Sequence, residues 1–88
     1  MKQYLPMGSV VRVKNAKGKL MVVSRLQRRT DTNAVFDYAA LIYPFGKVDN
    51  NIILFNEDDI DEILFRGFCD IDEQKYVELM NKEMDEVN

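Results

Sequence analysis

Apolar and polar residues alternate along the first third of the chain with the period of a β-strand. Between Ser9 and Lys14, Val11 and Val13 point to one side while the charged residues between them point to the other. This alternation predicts a half-buried strand. Residues 15–18 end in a glycine and predict a tight turn, so the strand continues as a hairpin into residues 19–27.

The second predicted strand has apolar residues on both faces of its first half, so this half is expected to lie centrally in a sheet. Strict alternation assigns its residues to two faces: Leu20, Val22, Ser24 and Leu26 on one, and Met21, Val23 and Arg25 on the other. The polar residues 28–33 that follow predict an exposed loop.

Three further strands are predicted over residues 36–43, 52–55 and 61–68. The first of them ends in Tyr-Pro-Phe-Gly at residues 43–46, a sequence typical of a type I turn. Before the last strand, residues 56–60 predict one helical turn capped by an asparagine. A glycine at position 67 indicates a bulge or a sharp bend near the end of that strand.

The pattern changes to a helical period after residue 70. Apolar residues recur at steps of three and four, namely Val77, Met80, Met84 and Val87. Asp70 followed by Glu73 resembles a capping box, so a helix is predicted from about residue 71 to 86. Both methionines are expected to pack on the sheet.

These elements predict one domain over residues 1–88, with the sheet in 5–68 and the helix in 70–87. The fold class is mostly β with one C-terminal helix. Five short strands favour a strongly bent antiparallel sheet that forms an SH3-like, partly open barrel. The alternative is an α+β arrangement in which the helix packs across the sheet.

Composition excludes several kinds of chemistry. The chain has 47% hydrophobic and 31% charged residues, which is typical of a globular protein, but it has no histidine and only one cysteine. It therefore has no histidine base, no Ser-His or Cys-His pair and no cysteine-rich zinc site. We expect no enzymatic activity, no cofactor and no metal. The longest apolar stretch, residues 39–45, is too short to cross a membrane, and without a signal sequence a cytoplasmic location is expected.

Charge is divided unevenly along the chain. Residues 1–50 carry nine basic and three acidic side chains (+6), and residues 51–88 carry three basic and twelve acidic ones (−9), which together give the net charge of −3. This polarity favours electrostatic docking to a partner protein or to a second copy of the chain. The net negative charge disfavours nucleic acid.

Three groups of residues are candidates for partner contact. The first is a basic set, Arg25, Arg28 and Arg29, and the second is an aromatic residue in a turn, Phe45. The third is an acidic run consisting of Glu57, Asp58, Asp59, Asp61 and Glu62. The acidic run lacks the spacing of a calcium-binding loop, and a solvated acidic turn or a docking surface is the better interpretation. Most of the other aromatic residues, including Phe65 and Phe68, are expected in the core.

Several segments together resemble a small bacterial family of unassigned function. They are Leu-Pro-Met-Gly-Ser-Val-Val at residues 5–11, Asp-Tyr at 37–38, Tyr-Pro-Phe-Gly at 43–46 and Phe-Asn-Glu-Asp-Asp-Ile-Asp-Glu at 55–62. The resemblance covers roughly residues 4–80. The chain departs from the family pattern at Ser24, where glycine is usual, and at Phe45, where a charged or polar residue is common.

Members of this family are encoded near type VII secretion loci and LXG-type toxin operons of Gram-positive bacteria. The resemblance therefore implies a cytoplasmic adaptor, chaperone or targeting protein whose partner is a secreted effector or a secretion component. It implies no catalytic residues. Two alternatives remain open: a nucleic-acid-binding regulator that uses the basic hairpin, and an immunity-type protein that neutralises a toxin with its acidic surface.

Overall fold

A computed structural model describes the backbone of residues 2–87 and the side chains of residues 2–83. The elements, in chain order, are β1 Val10–Val13, β2 Lys19–Arg28, β3 Val35–Tyr43, β4 Ile53–Phe55, a 3-10 turn at Glu57–Asp59, β5 Ile60–Phe65 and α1 Ile71–Val87. Met84 and Val87, which were assigned to the apolar stripe of the helix, have side chains outside the described part.

The five strands form one antiparallel sheet in the order β4-β3-β2-β1-β5. The sheet is not closed, so β4 and β5 are its two edges. The predicted fold class, mostly β with five antiparallel strands and a C-terminal helix, is confirmed. The central position expected for β2 is confirmed as well, because β2 pairs with β1 on one side and with β3 on the other.

A bulge in β2 reverses its alternation halfway along the strand. The pairing with β3 shifts register between Val22 and Ser24, so that one extra residue is inserted at this point. Leu20 and Val22 are fully buried, and the next buried side chain of the strand is Arg25. The prediction that placed Arg25 on the face opposite Leu20 is therefore wrong, because the inserted residue turns the Arg25 side chain to the other face.

The fifth strand is shorter and more exposed than predicted. It ends at Phe65 rather than at residue 68, and it pairs with β1 at one edge of the sheet. Phe65 is 61% exposed and Phe68 is 81% exposed. The prediction that these two aromatic residues belong to the core is wrong, because Phe65 ends an edge strand and Phe68 lies in the segment between β5 and the helix.

The turn after β3 also differs from its prediction. The backbone N–H of Gly46 donates to the carbonyl oxygen of Ile42 at 2.9 Å, which closes a loop one residue longer than a β-turn. The type I turn predicted over residues 43–46 is therefore wrong. The Tyr43–Pro44 peptide bond is cis, and Gly46 has a φ of +76°, which glycine adopts without steric strain.

The core lies on the inner face of the sheet and extends to the N-terminal segment and the helix. Its buried apolar residues are Tyr4, Leu5, Val11, Val13, Leu20, Val22, Tyr38, Ala40, Phe55 and Met80. Met80 is 2% exposed, which confirms that this methionine packs on the core. The Asn81 amide joins the helix to the N-terminal segment, since it accepts from the N–H of Lys2 and donates to the Lys2 carbonyl.

Candidate functional site

Arg25 connects three parts of the fold through one buried guanidinium group. Its two terminal nitrogens donate to the two carboxylate oxygens of Glu73, each at 2.7 Å, and one of them also donates to the Leu5 carbonyl at 2.9 Å. The paired carboxylate raises the pKa of Arg25 above its ordinary value. The Arg25 side chain is only 2% exposed. It therefore holds the sheet, the N-terminal segment and the helix together.

The predicted basic set is consequently divided. Arg28 and Arg29 are exposed at the end of β2, and Arg29 donates to the carboxylate of Asp31 at 2.8 and 3.1 Å. Arg25 follows the same bulge in β2 but lies inside the fold, where it is 4% exposed. The structure therefore does not place the three arginines on one exposed surface, and the grouping predicted from the sequence is wrong for Arg25.

The acidic run is also divided, because part of it anchors the 3-10 turn. Glu57 accepts from the Tyr38 hydroxyl at 2.5 Å, and its backbone N–H donates to the Asp37 carboxylate at 2.8 Å. Asp59 accepts from the backbone N–H of Asn56 at 2.9 Å, which agrees with the predicted capped turn. The exposed acidic residues that remain are Asp58, Asp61 and Glu62.

The hydroxyl of Tyr38 makes the free energy of unfolding depend on pH in the alkaline range. Burial, and then the hydrogen bond to Glu57, raise its pKa far above the ordinary value of 10.0. The unfolded chain therefore loses this proton first, and stability falls as pH rises above about 10, by up to about 1.4 kcal/mol per pH unit. Urea unfolding between pH 9 and 11 measures how steeply the free energy of unfolding falls with pH. We expect this slope to be shallower in Tyr38→Phe. An equal slope in both proteins contradicts the assignment.

A row of apolar side chains crosses the face of the sheet that points away from the core, which we call the outer face. Val10 lies directly opposite both Met21 and Phe65, and Met21 lies opposite Leu41. The row therefore runs from β5 through β1 and β2 to β3. Val10, Met21 and Leu41 are half-buried, and Phe65 is the most exposed member.

This row borders a shallow basin of about 650 Å³. The described residues that line the basin are Gly8, Val10, Arg12, Lys19, Met21, Tyr43, Leu64 and Phe65. The charged residues among them, Arg12 and Lys19, are both basic. The Lys19 ammonium lies 5.6 Å from the centre of the Tyr43 ring, which places a cation over an exposed aromatic face.

Both edges of the sheet are poorly suited to receive an additional strand. β4 has three residues, and the pairing of β5 with β1 shifts register twice within six residues. Short edge strands, bulges and charges such as Asp61 and Glu62 are features that prevent strand addition. The addition of a further strand at either edge is therefore disfavoured, whereas the outer face itself is exposed.

Sequence reasoning missed the outer face as a site, although a signal for it was present. The apolar residues on both faces of early β2 were interpreted as burial in the centre of a sheet. Their outward members form the middle of the exposed row because the helix packs elsewhere, against Tyr4, Leu5 and Arg25. Phe45, which was predicted as an exposed anchor in a turn, is 73% exposed and does not line the basin.

Over residues 2–87, no helix is both long enough and apolar enough to cross a bilayer. Among residues 2–83, whose side chains the structure describes, no three carboxylate or thiol side chains lie close enough together to hold a metal ion. The fold and the outer face together define a small β-rich protein with an open sheet and an exposed apolar surface.

The chain belongs to the family described as Domain of unknown function (DUF4176), whose model matches residues 4–76. The match includes all five strands and the first turns of the helix, so the resemblance to a family of unassigned function is confirmed. No curated protein and no solved structure matches the chain.

Proposed function

We propose that this protein is a non-enzymatic accessory factor that binds another protein and acts as an adaptor, chaperone or targeting protein in type VII secretion. The apolar row across the outer face is the observation that supports binding. The resemblance to proteins encoded near secretion and toxin loci supports the cellular context. In this proposal the protein works in the cytoplasm, and its partner is a secreted effector or a component of the secretion system.

The size and composition of the outer face suit a protein partner. Four neighbouring strands span three inter-strand spacings, or roughly 14 Å. An α-helix with its side chains is about 10–12 Å wide, so one helix covers most of the row. Phe65 at the end of the row is an exposed aromatic residue of the kind that supplies much of the binding energy at interfaces.

The charges at the rim indicate the chemistry of the partner. Arg12 and Lys19 are the charged residues that line the basin among the described part of the chain. Arg12 forms an exposed ion pair with Glu62 at 3.5 Å, whereas Lys19 has no carboxylate partner among the ion pairs of the described residues, so an acidic segment is complementary to the basin. Because the sheet edges disfavour strand addition, the partner segment is expected to be an amphipathic helix. Its apolar stripe would cover Val10, Met21 and Phe65, and its acidic residues would flank that stripe.

Two alternatives from the sequence receive less support from the arrangement of residues. A nucleic-acid surface was based on the basic hairpin and the three arginines of residues 25–29, and the guanidinium of Arg25 is buried against Glu73. A toxin-neutralising acidic surface was based on residues 57–62, of which Glu57 and Asp59 bond within the fold. We therefore develop only the protein-binding proposal.

Photo-crosslinking from the outer face tests this proposal. A photoreactive phenylalanine analogue at position 65, in the full chain expressed in its native cells, is expected to crosslink to a secreted effector or a secretion component. Mass spectrometry of the crosslinked peptide is expected to place the contact in an amphipathic, acidic helix. The same analogue at position 45 is the matched control, because Phe45 is also an exposed aromatic residue but lies outside the basin.

Binding measurements with the captured partner complete the test. Phe65→Ser is expected to weaken binding at least about tenfold, whereas Phe45→Ser leaves it unchanged. Arg12→Glu and Lys19→Glu are expected to slow association most at low salt, and Arg28→Glu serves as the charge control. Dependence on Phe45 rather than Phe65, or recovery of the chain with nucleic acid alone, would contradict the proposal.

A further inference from the structure

A second apolar depression, which we call the helix-start groove, lies where the helix begins. It measures about 560 Å³. Its apolar side chains are Met7, Phe68 and Tyr76, and its acidic side chains are Asp70, Asp72 and Glu73. Phe68 is 81% exposed, the highest value among the large hydrophobic residues given for the described part of the chain. The helix-start groove shares no lining residue with the outer-face basin.

The backbone that carries these apolar side chains is held in place. The N–H of Gly67 donates to the Ser9 hydroxyl at 2.9 Å, and that hydroxyl donates to the Pro6 carbonyl at 2.7 Å. A β-carbon at position 67 would lie 2.1 Å from the Met7 carbonyl oxygen, so only glycine permits this approach. A backbone fixed in this way loses little conformational entropy when a partner binds to the side chains that it carries.

The far wall of the helix-start groove is equally well ordered. Asp70 accepts from the backbone N–H of Glu73 at 3.1 Å and caps the helix. Glu73 holds Arg25 through two hydrogen bonds, and the Arg25 guanidinium lies 5.4 Å from the centre of the Tyr76 ring. One face of Tyr76 is thereby fixed while the residue stays 50% exposed.

The charge balance of the helix-start groove is opposite to that of the outer face. Arg25 and Glu73 neutralise each other, which leaves the negative charges of Asp70 and Asp72 beside the apolar surface. The outer-face basin instead carries the positive charge of Lys19, and its Arg12 forms an exposed ion pair with Glu62 at 3.5 Å. An apolar groove with an acidic rim is complementary to a segment that carries lysine or arginine beside apolar side chains.

We propose that the helix-start groove is a second docking site, which binds a basic, apolar segment of a partner protein. Its apolar side chains pack against Phe68 and Met7, and its cation pairs with the carboxylates of Asp70 and Asp72. This inference extends the proposed function from one binding surface to two, whose preferences for charge are opposite. A protein of this kind bridges an acidic helix and a basic segment, as an adaptor does.

Nuclear magnetic resonance with synthetic peptides tests the inference on the full chain. The probe is an octapeptide that alternates leucine and lysine, and its counterpart carries glutamate in place of lysine. The lysine peptide is expected to shift the backbone amide resonances of Met7, Phe68 and Asp72. Its affinity, measured from these shifts, is expected to be at least about tenfold higher than that of the glutamate peptide. Raising the salt concentration is expected to weaken this binding.

Matched variants assign the binding to the groove. Phe68→Ser and Asp72→Asn are each expected to lower the affinity for the lysine peptide by about fivefold or more. The control variants Phe45→Ser and Asp58→Asn are expected to leave this affinity unchanged. Amide spectra of the free variants confirm that each is folded. If Asp72→Asn and Asp58→Asn lower the affinity equally, the peptide binds through the general negative charge of the chain, and the inference is wrong.

The two sites fail in distinguishable ways. If the lysine peptide does not bind at millimolar concentration, or if it shifts only the amide resonances of Val10, Met21 and Phe65, the proposal for the helix-start groove is wrong. The proposal for the outer face is unaffected by either result. If the chain self-associates in sedimentation experiments and Phe68→Ser abolishes this, a second copy of the chain occupies the groove. That result would contradict the proposal that the groove binds a different protein. Loss of crosslinking from position 65, with the groove intact, would overturn the outer face alone.

Discussion

Replacing Arg25 with alanine is expected to lower the free energy of unfolding by about 3–5 kcal/mol, because it leaves the Glu73 carboxylate without its cation and the Leu5 carbonyl without its donor. A domain of this size has only about 4–13 kcal/mol of stability, so the variant is expected to unfold at much lower urea concentration. Arg28→Ala is the control, because Arg28 is an exposed arginine in the same strand. We expect it to change stability by no more than about 0.5 kcal/mol.

A double-mutant cycle separates the ion pair from the loss of packing around Arg25. Glu73→Ala is expected to be destabilising by itself, and combining it with Arg25→Ala is expected to cost less than the sum, since neither charge is then left alone. Strict additivity of the two single changes, or an Arg25→Ala variant as stable as Arg28→Ala, would show that the pair does not hold the helix to the sheet.

Replacing Tyr38 with alanine is expected to destabilise the protein by about 3–5 kcal/mol. Tyr38 is fully buried, stacks on Phe55 with ring centres 5.4 Å apart, and meets the edge of Tyr4 at 6.2 Å. Its hydroxyl also accepts from the N–H of Leu5 at 2.8 Å and donates to Glu57. Truncation therefore removes a large apolar side chain and breaks the link between the N-terminal segment and the 3-10 turn.

The phenylalanine variant divides this loss into two parts. Tyr38→Phe keeps the ring and removes only the hydroxyl, so it is expected to cost about 1–3 kcal/mol. Tyr43→Phe is the matched control, because Tyr43 is 47% exposed. Removing its hydroxyl is expected to change the free energy of unfolding by no more than about 0.5 kcal/mol. Urea denaturation of the three variants measures the differences. Equal stability of Tyr38→Phe and Tyr43→Phe would contradict the buried network.

Most secondary structure could be predicted because it follows from local patterns. The alternation around Val11 and Val13 places both side chains in the core, and the asparagine before residues 57–59 marks the start of the 3-10 turn. Asp70 caps the helix as predicted, although the Glu73 side chain pairs with Arg25 instead of closing a capping box. Local hydrogen bonding thus determined where each element begins, but not which distant group each side chain meets.

The candidate site was less accessible to prediction, because both proposed docking surfaces combine residues that are distant in sequence. The row on the outer face joins Val10, Met21, Leu41 and Phe65 through strand registers. Two of those registers contain shifts, which a periodic pattern does not reveal. The helix-start groove likewise brings Met7 next to Phe68 through the contact between Gly67 and Ser9.

The sequence by itself determined the class of fold, the order of the elements and the separation of positive from negative charge, because these depend on periodicity, turn residues and composition. Only the tertiary structure decided that Arg25 is buried and that Phe65 and Phe68 are exposed. The reason is that burial depends on which surfaces meet. One inserted residue in β2 turns Arg25 inward. Phe65 at the end of an edge strand and Phe68 in the segment after it face solvent, because the helix packs elsewhere.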